Sequence, residues 1–391
     1  MAKGILARTV WLLGLISLFT DMASEMLYPV MPVYLESIGF SVVLIGLLEG
    51  LAEATAGLSK GYFGKWSDAR QLRAPFVQAG YGLSALSKPL LAVWTAPLWV
   101  FFARTTDRLG KGIRTGARDA MLALEATPDT KGRVFGFHRS MDTLGAAIGP
   151  LIALAFLHFH PASYAALFLL AFFPGLLAIL ATLFLKDKLA PALEKRPSTP
   201  GFFSFLRYLP QAGLPYRRLL AGLLTFALVN SSDVFLLLML KHRGVADGAL
   251  ISIYIFYNLV YALAAYPAGA LADRWGMKRL FIAGLGLFAV VYSGMGFAEG
   301  IPTFIGLFFL YGLYAACTEG IAKAWISNVV DKADLGTAIG TYEGLRSITA
   351  LVSSTLAGLI WYGAGPETLF LATGILAAGI AVYFWKRTST P

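Results

Sequence analysis

Apolar segments of about twenty residues recur along this chain, and that is the length a helix needs to cross the ~30 Å hydrocarbon core of a bilayer. No water is present there to satisfy backbone N–H and C=O groups, so each such segment must form a helix. Twelve are counted, at roughly 9–35, 41–64, 74–94, 97–124, 132–158, 162–185, 217–240, 247–271, 278–298, 302–328, 336–362 and 366–385. The expected fold is therefore an all-α membrane protein of twelve transmembrane helices. Composition agrees: 57% of residues are hydrophobic and 14% charged, against roughly 25% charged in soluble domains. The first segment continues through Asp21 and Glu25 with no small-residue cleavage site, so it reads as a membrane helix and not a signal peptide.

The net charge of +10 does not point to nucleic acid, because the basic residues gather in alternate loops. One set holds Lys65, Arg70 and Arg73; Lys131 and Arg133; Lys186, Lys188, Lys195, Arg196, Arg207, Arg217 and Arg218; Arg274, Lys278 and Arg279; and Lys386 with Arg387. The opposite loops carry little base beyond Lys241 and Arg243. By the positive-inside rule both termini are cytoplasmic. The longest loop, 187–215, is rich in Pro, Lys and Arg and reads as a cytoplasmic linker between six-helix bundles at 1–186 and 216–391.

An internal repeat agrees with that division. Gly64–Asp68 matches Gly269–Asp273 205 residues on, and Gly136 matches Gly340 at 204. Glu36-Ser37-Ile38-Gly39 stands opposite Lys241-His242-Arg243-Gly244. In the same register Asp119 corresponds to Lys323 and Asp142 to Arg346, so ionisable positions persist while their sign inverts. A duplicated scaffold with asymmetric charge suits a transporter whose site lies at the midplane, worked by rocking of its halves.

Charge at membrane depth marks the candidate site. Arg104, Asp107, Arg108, Lys111, Arg114, Arg118 and Asp119 fall within an arc of about 140° on the fourth helix, opposite Phe102, Leu109, Ile113, Ala117 and Ala120. Asp21 lies ~18 Å along the first helix, near the midplane, with Glu25 one turn on. Glu49 and Glu53 repeat that spacing on the second helix. A carboxyl in a poorly hydrated cavity holds its proton, and a nearby arginine releases it. Asp21 and Arg104 are therefore the expected coupling pair, with Glu25, Glu53, His138 and Asp142 as further proton-handling groups. Substrate contacts are expected from Asp21, Arg108, Lys111, Arg139 and Asp142. In the second half they come from Asn230, Asp233, Tyr254, Asn258, Glu319, Lys323 and Arg346, with Tyr257, Tyr261 and Glu343 nearby. Static ion pairing is the competing reading of the charges, and packing that of the tyrosines. The balance of acids and bases does not decide the substrate's charge.

Two loops carry a family signature. Gly269-Ala270-Leu271-Ala272-Asp273-Arg274-Trp275-Gly276-Met277-Lys278-Arg279 resembles the major facilitator superfamily motif G-x-x-x-D-R-x-G-R-R. Gly64-Lys65-Trp66-Ser67-Asp68-Ala69-Arg70-Gln71-Leu72-Arg73 is an imperfect copy, with Ala69 and Gln71 at the Arg and Gly positions. The resemblance implies a gating latch built on Gly64, Asp68, Arg70, Gly269, Asp273, Arg274, Lys278 and Arg279. Arg104, Asp107, Gly110 and Gly112 resemble the fourth-helix motif R-x-x-Q-G-x-G-x-G, whose arginine is tied to proton coupling. Gly145, Gly149 and Pro150 resemble the antiporter motif G-x-x-x-G-P-x-x-G-G.

Together with Asp21 and Pro29-Val30-Met31-Pro32, these matches span the chain and imply the drug:proton antiporter branch. Such a protein exports a small solute, with protons as the coupling ion and no other cofactor. It sits as a multi-pass monomer in the bacterial inner membrane and binds no nucleic acid. Arg139-x-x-Asp142 ahead of Pro150 also resembles the fifth helix of ferroportin-type exporters, implying a divalent metal held by Asp21 and Asp142 as the alternative. No phosphate-loop pattern or catalytic constellation is present, so no enzyme activity is expected, and the single Cys317 excludes a disulfide framework.

Overall fold

The structure, a computed structural model, describes residues 7–28, 30–40, 42–187 and 201–387. Pro29 of the first-helix motif and 188–200 of the expected linker lie outside them, as do the side chains of Glu49 and Glu53. The helices are α1 (Arg8–Glu25), α2 (Met31–Ser37), α3 (Val42–Arg70), α4 (Ala74–Val93), α5 (Pro97–Glu125), α6 (Lys131–Phe159), α7 (Tyr164–Thr182) and α8 (Tyr208–Gln211). They continue as α9 (Leu214–Val229), α10 (Val234–His242), α11 (Asp247–Trp275), α12 (Met277–Phe297), α13 (Ile301–Asn328), α14 (Leu335–Ala364) and α15 (Pro366–Arg387). No strand occurs among the described residues. Eight of these stretches are long and apolar enough to cross a membrane, all from Pro128 onward and with Leu214–His242 taken as one. Of the expected spans before Pro128, α5 is crowded with charge from Arg104 to Asp119 and is not one of the eight.

The chain forms two compact units. The first comprises Met1–Glu125, Met141–Gln211 and Asp331–Gly344; the second comprises Ala126–Ser140, Ala212–Val330 and Leu345–Pro391. Within the first, glycines let helix backbones touch, as packing in lipid favours. Gly80 and Gly110 bring α4 against α5, and Gly145 and Gly149 bring α6 against the Leu18–Met26 backbone of α1. Gly64 meets the Gly336 carbonyl at the start of α14. There Asp68 accepts from the Thr337 backbone N–H at 2.6 Å and its hydroxyl at 2.9 Å, while Arg73 pairs with the other carboxylate oxygen at 3.1 Å. A carboxylate on a helix N-terminus satisfies orphan amides and meets the positive end of the dipole. The described part of the linker is tied to α3: Phe205 lies over Gly61, and Lys65 donates to the Ser204 carbonyl at 2.7 Å.

The second unit repeats this device 204–205 residues away in sequence. Gly269 meets the Gly132 carbonyl. Asp273 accepts from the backbone N–H groups of Gly132 and Arg133 at 2.7 and 3.0 Å and from Arg133 Nε at 3.0 Å, capping α6. The chain reverses after α11 at Gly276, with φ at 91°. At the matching position of the first copy Gln71 adopts φ of 52°, a left-handed conformation that costs a side chain energy. The remaining core is aromatic, with Phe226, Phe288, Tyr292 and Tyr314 in ring contact.

A Cβ at Gly64 or Gly269 would overlap a facing carbonyl. Gly64→Ala and Gly269→Ala are each expected to cost about 1–3 kcal/mol, the range for overpacking a tight contact. Thermal unfolding of the purified protein in detergent measures this; an unchanged Tm would mean the backbones do not approach so closely.

Candidate functional site

In the first unit α1 stops at Glu25 and α2 restarts at Met31, a break where the sequence carries Pro29, which lacks the amide a helix needs. Asp21, Ser24, Glu25 and Tyr28 from this region face Arg104, Asp107, Arg108, Lys111 and Arg114 of α5 around a cavity of about 30 Å³. That holds one water, not a solute. The charged face of α5 is turned inward: Arg104, Asp107, Arg114, Arg118 and Asp119 are all buried. Each of several charges has a defined partner. Lys88 of α4 pairs with Asp107 at 2.7 Å and donates to Ser24 at 3.2 Å. Arg114 donates to Ser84 at 2.5 Å and lies 4.3 Å from the centre of the Tyr81 ring. Arg118 pairs with Asp119 at 2.8 Å. Asp142 of α6 accepts from Ser17 at 2.5 Å and lies beside the Asp21 carboxyl, with Lys111 and Arg114 the main positive charges acting there.

The second unit holds the larger cavity, about 360 Å³, within the size range of small-molecule sites. Its wall is built where α9 ends at Val229 and the chain passes through Asn230–Asp233 before α10. Tyr257 and Tyr261 of α11 and Tyr311 and Tyr314 of α13 supply aromatic surface, with Tyr257–Tyr311 and Tyr311–Tyr314 ring centres 5.0 and 5.2 Å apart. Tyr311 donates to Asp233 at 2.7 Å, and Asn230 donates to the Tyr314 hydroxyl at 3.1 Å. Glu319 is held by two arginines: Arg346 at 2.5 Å on one oxygen and Arg139 at 3.3 Å on the other. Arg139 Nε also reaches the Tyr261 hydroxyl at 2.5 Å.

The expected site residues thus divide. Asp21, Glu25, Arg104, Arg108 and Lys111 line the small cavity; Arg139, Asn230, Asp233, Glu319 and Arg346 line the large one. Arg139 and Asp142, three residues apart on α6, serve different sites. His138 is buried but lines neither cavity, and Lys323, one turn beyond Glu319, lines neither. Asn258 turns back to the Tyr254 carbonyl at 3.0 Å, and neither residue lines the large cavity, where Tyr257 and Tyr261 stand instead. Of the latch residues, Arg70 stacks over Trp66 at 5.0 Å, Lys278 donates to the Trp385 carbonyl at 3.2 Å, and Arg274 and Arg279 are exposed. Among the described residues no group of three or more His, Cys, Asp or Glu is placed to hold a metal.

Sequence reasoning missed Lys60, Lys88, Tyr311 and Tyr314. Lys60 pairs with Glu343 at 3.1 Å, both buried in the first unit. A single lysine inside an apolar span was the available signal for Lys60 and Lys88. For the tyrosines it was their spacing with Glu319, which puts polar-tipped rings and an acid on one helix face.

Comparison with known proteins agrees with this architecture. The sequence matches the Major Facilitator Superfamily over residues 13–257 and 219–391. An uncharacterized MFS-type transporter of Methanocaldococcus jannaschii is 32% identical, covering 97% of this chain and 95% of that one. A multi-drug resistance efflux pump of Streptococcus pneumoniae, PmrA, is 23% identical over 92% of this chain and 90% of its own. Among solved structures, the human organic anion transporter MFSD10 superposes with a TM-score of 0.83 at 18% identity, covering 96% and 99% of the two chains, which shows the fold. The chain belongs to the Major Facilitator Superfamily, a family of multi-pass membrane transporters.

The Lys88–Asp107 pair gives a test of the charge arrangement. Removing one partner of a buried pair leaves an uncompensated charge, so Lys88→Met is expected to lose about 3–5 kcal/mol, whereas Lys88→Met with Asp107→Leu recovers most of it. Equal losses in single and double variants, measured by denaturant unfolding in detergent, would show that the two charges are not coupled.

Proposed function

We propose that this transporter exports a small organic solute in exchange for protons by alternating access, as a monomer in a bacterial inner membrane with both termini cytoplasmic. In this reading twelve spans form two pseudo-symmetric six-helix bundles, 1–186 and 216–391, joined by a linker at 187–215. The observation that carries the coupling is the placing of Asp21 beside Asp142, next to the charged face of α5. Two carboxyl groups in contact hold one proton between them and give it up when hydration or a neighbouring cation changes. Lys111 and Arg114 supply such cations. The larger, aromatic cavity is the solute site, and the likeness to an efflux pump supports the outward direction. The same two aspartates favour one other reading, export of a divalent metal bound by carboxylate oxygen.

Proteoliposomes containing a pH-sensitive dye test both. A proton gradient is expected to drive organic solute movement in the native protein. Asp21→Asn and Asp142→Asn are expected to lose that coupling at least tenfold, a barrier change of about 1.4 kcal/mol, while still exchanging solute for solute. Normal coupling in Asp21→Asn would remove it from the mechanism. Proton movement driven only by Mn, Co or Ni, and requiring both aspartates, would establish the metal reading.

A further inference from the structure

The second unit's cavity contains a bound carboxylate already, supplied by the protein itself. Glu319 lies between Arg346 and Arg139, each taking a different oxygen of its carboxylate at 2.5 and 3.3 Å. Guanidinium groups aimed at both oxygens of one carboxylate form a recognition fork for a planar anion. We propose that Arg139 and Arg346 recognise a carboxylate on the transported solute, and that Glu319 occupies its place when the solute is absent. The inference rests on the exporter reading above and names its substrate class: a small aromatic or amphipathic carboxylic acid in its ionised form.

Three further features support the exchange. First, Lys323 stands four residues beyond Glu319 on α13, the spacing at which a glutamate and a lysine meet on a helix face. Glu319 therefore has a second cation on its own helix face when the solute takes the arginines. Second, the two arginines on the cavity wall, Arg139 and Arg346, are balanced by Asp233 and Glu319, so a solute carboxylate is accommodated by displacing Glu319 and not by adding to it. Third, the cavity of about 360 Å³ is faced by four tyrosines, and the Asn230 side-chain oxygen is buried there without a hydrogen-bond partner in the protein. Aromatic faces suit the solute's ring, and Asn230 offers an acceptor to a hydroxyl or amide on it.

The test uses three probes of one shape on the purified full-length protein: naphthoate, naphthalene carboxamide and a naphthylmethyl-trimethylammonium ion, with binding followed by tyrosine fluorescence. Naphthoate is expected to bind saturably and the other two not. Arg346→Gln is expected to weaken it at least tenfold and Arg346→Lys less, since lysine keeps the charge but lacks the fork. Glu319→Gln is expected to tighten it about tenfold, because an internal competitor has been removed. A purely structural glutamate predicts the reverse, so weaker binding in Glu319→Gln would overturn the proposal, as would equal binding of naphthoate and the carboxamide. Proton flux in proteoliposomes made from the same protein separates the two readings. Asp21-dependent flux driven only by the trimethylammonium probe keeps the exporter and overturns the carboxylate site. The expected binding pattern without any Asp21-dependent flux keeps the carboxylate site and overturns the coupling.

Discussion

A charge removed from water must find its counter-charge inside the protein, and this requirement organises the whole chain. An isolated ion in hydrocarbon costs several kcal/mol even after local relaxation. Here Lys88, Asp107, Arg118, Asp119, Lys60 and Glu343 are buried in pairs. Helix approach follows from the same need. Lys88 on α4 reaches Asp107 on α5 because Gly80 and Gly110 allow the two backbones into contact. Without those glycines the ion pair would be held apart, and without the ion pair the glycine contact would enclose stranded charge. Packing and electrostatics are therefore one constraint on these helices.

The two loop motifs apply this rule at helix ends. Asp68 and Asp273 lie against the first turns of α14 and α6, accepting backbone amides that have no partner within their own helix. Each aspartate also meets an arginine, Arg73 in one copy and Arg133 in the other. The first copy reaches this geometry with Gln71 in a left-handed conformation where the second has Gly276. A departure from the family pattern has thus been absorbed as local backbone strain while the aspartate's contacts are kept.

Much of the architecture was legible because its signals are local. Apolar length marks a helix, and Gly64-x-x-x-Asp68 with its copy marks where helices end and touch. Their partners were not legible: nothing near Gly64 in sequence points to Gly336, nor anything near Gly269 to Gly132. The site divides along the same line. Charges on one helix face, such as Arg104, Arg108 and Lys111, are read from periodicity, and they do line one cavity. Which of several tyrosines faces a cavity depends on its depth along the helix, which the stripe alone does not give. Tyr257 and Tyr261 face it and Tyr254 does not, although all three share one helical stripe. Asn258 has a polar side chain, but it is satisfied by a carbonyl one turn back and carries no message about the cavity.

The repeat explains why one chain holds two unlike sites. Advancing 204 residues carries Asp142 onto Arg346 and Arg139 onto Glu343. Asp142 sits with a second carboxyl and a serine, an arrangement that the proposed function reads as a place for a shared proton. Its counterpart Arg346 sits with Arg139 around a carboxylate, an arrangement whose chemistry is that of anion recognition. Glu343, the counterpart of Arg139, is neutralised by Lys60 and takes no part in either cavity. Duplication keeps an ionisable group at the same depth of the same helix, since the scaffold there already tolerates a charge. Reversing the sign then changes what that depth attracts without changing how the helix packs. In the reading proposed above, the proton site and the carboxylate site use equivalent positions of the repeat, and sign inversion is what keeps the two ligands from competing for either.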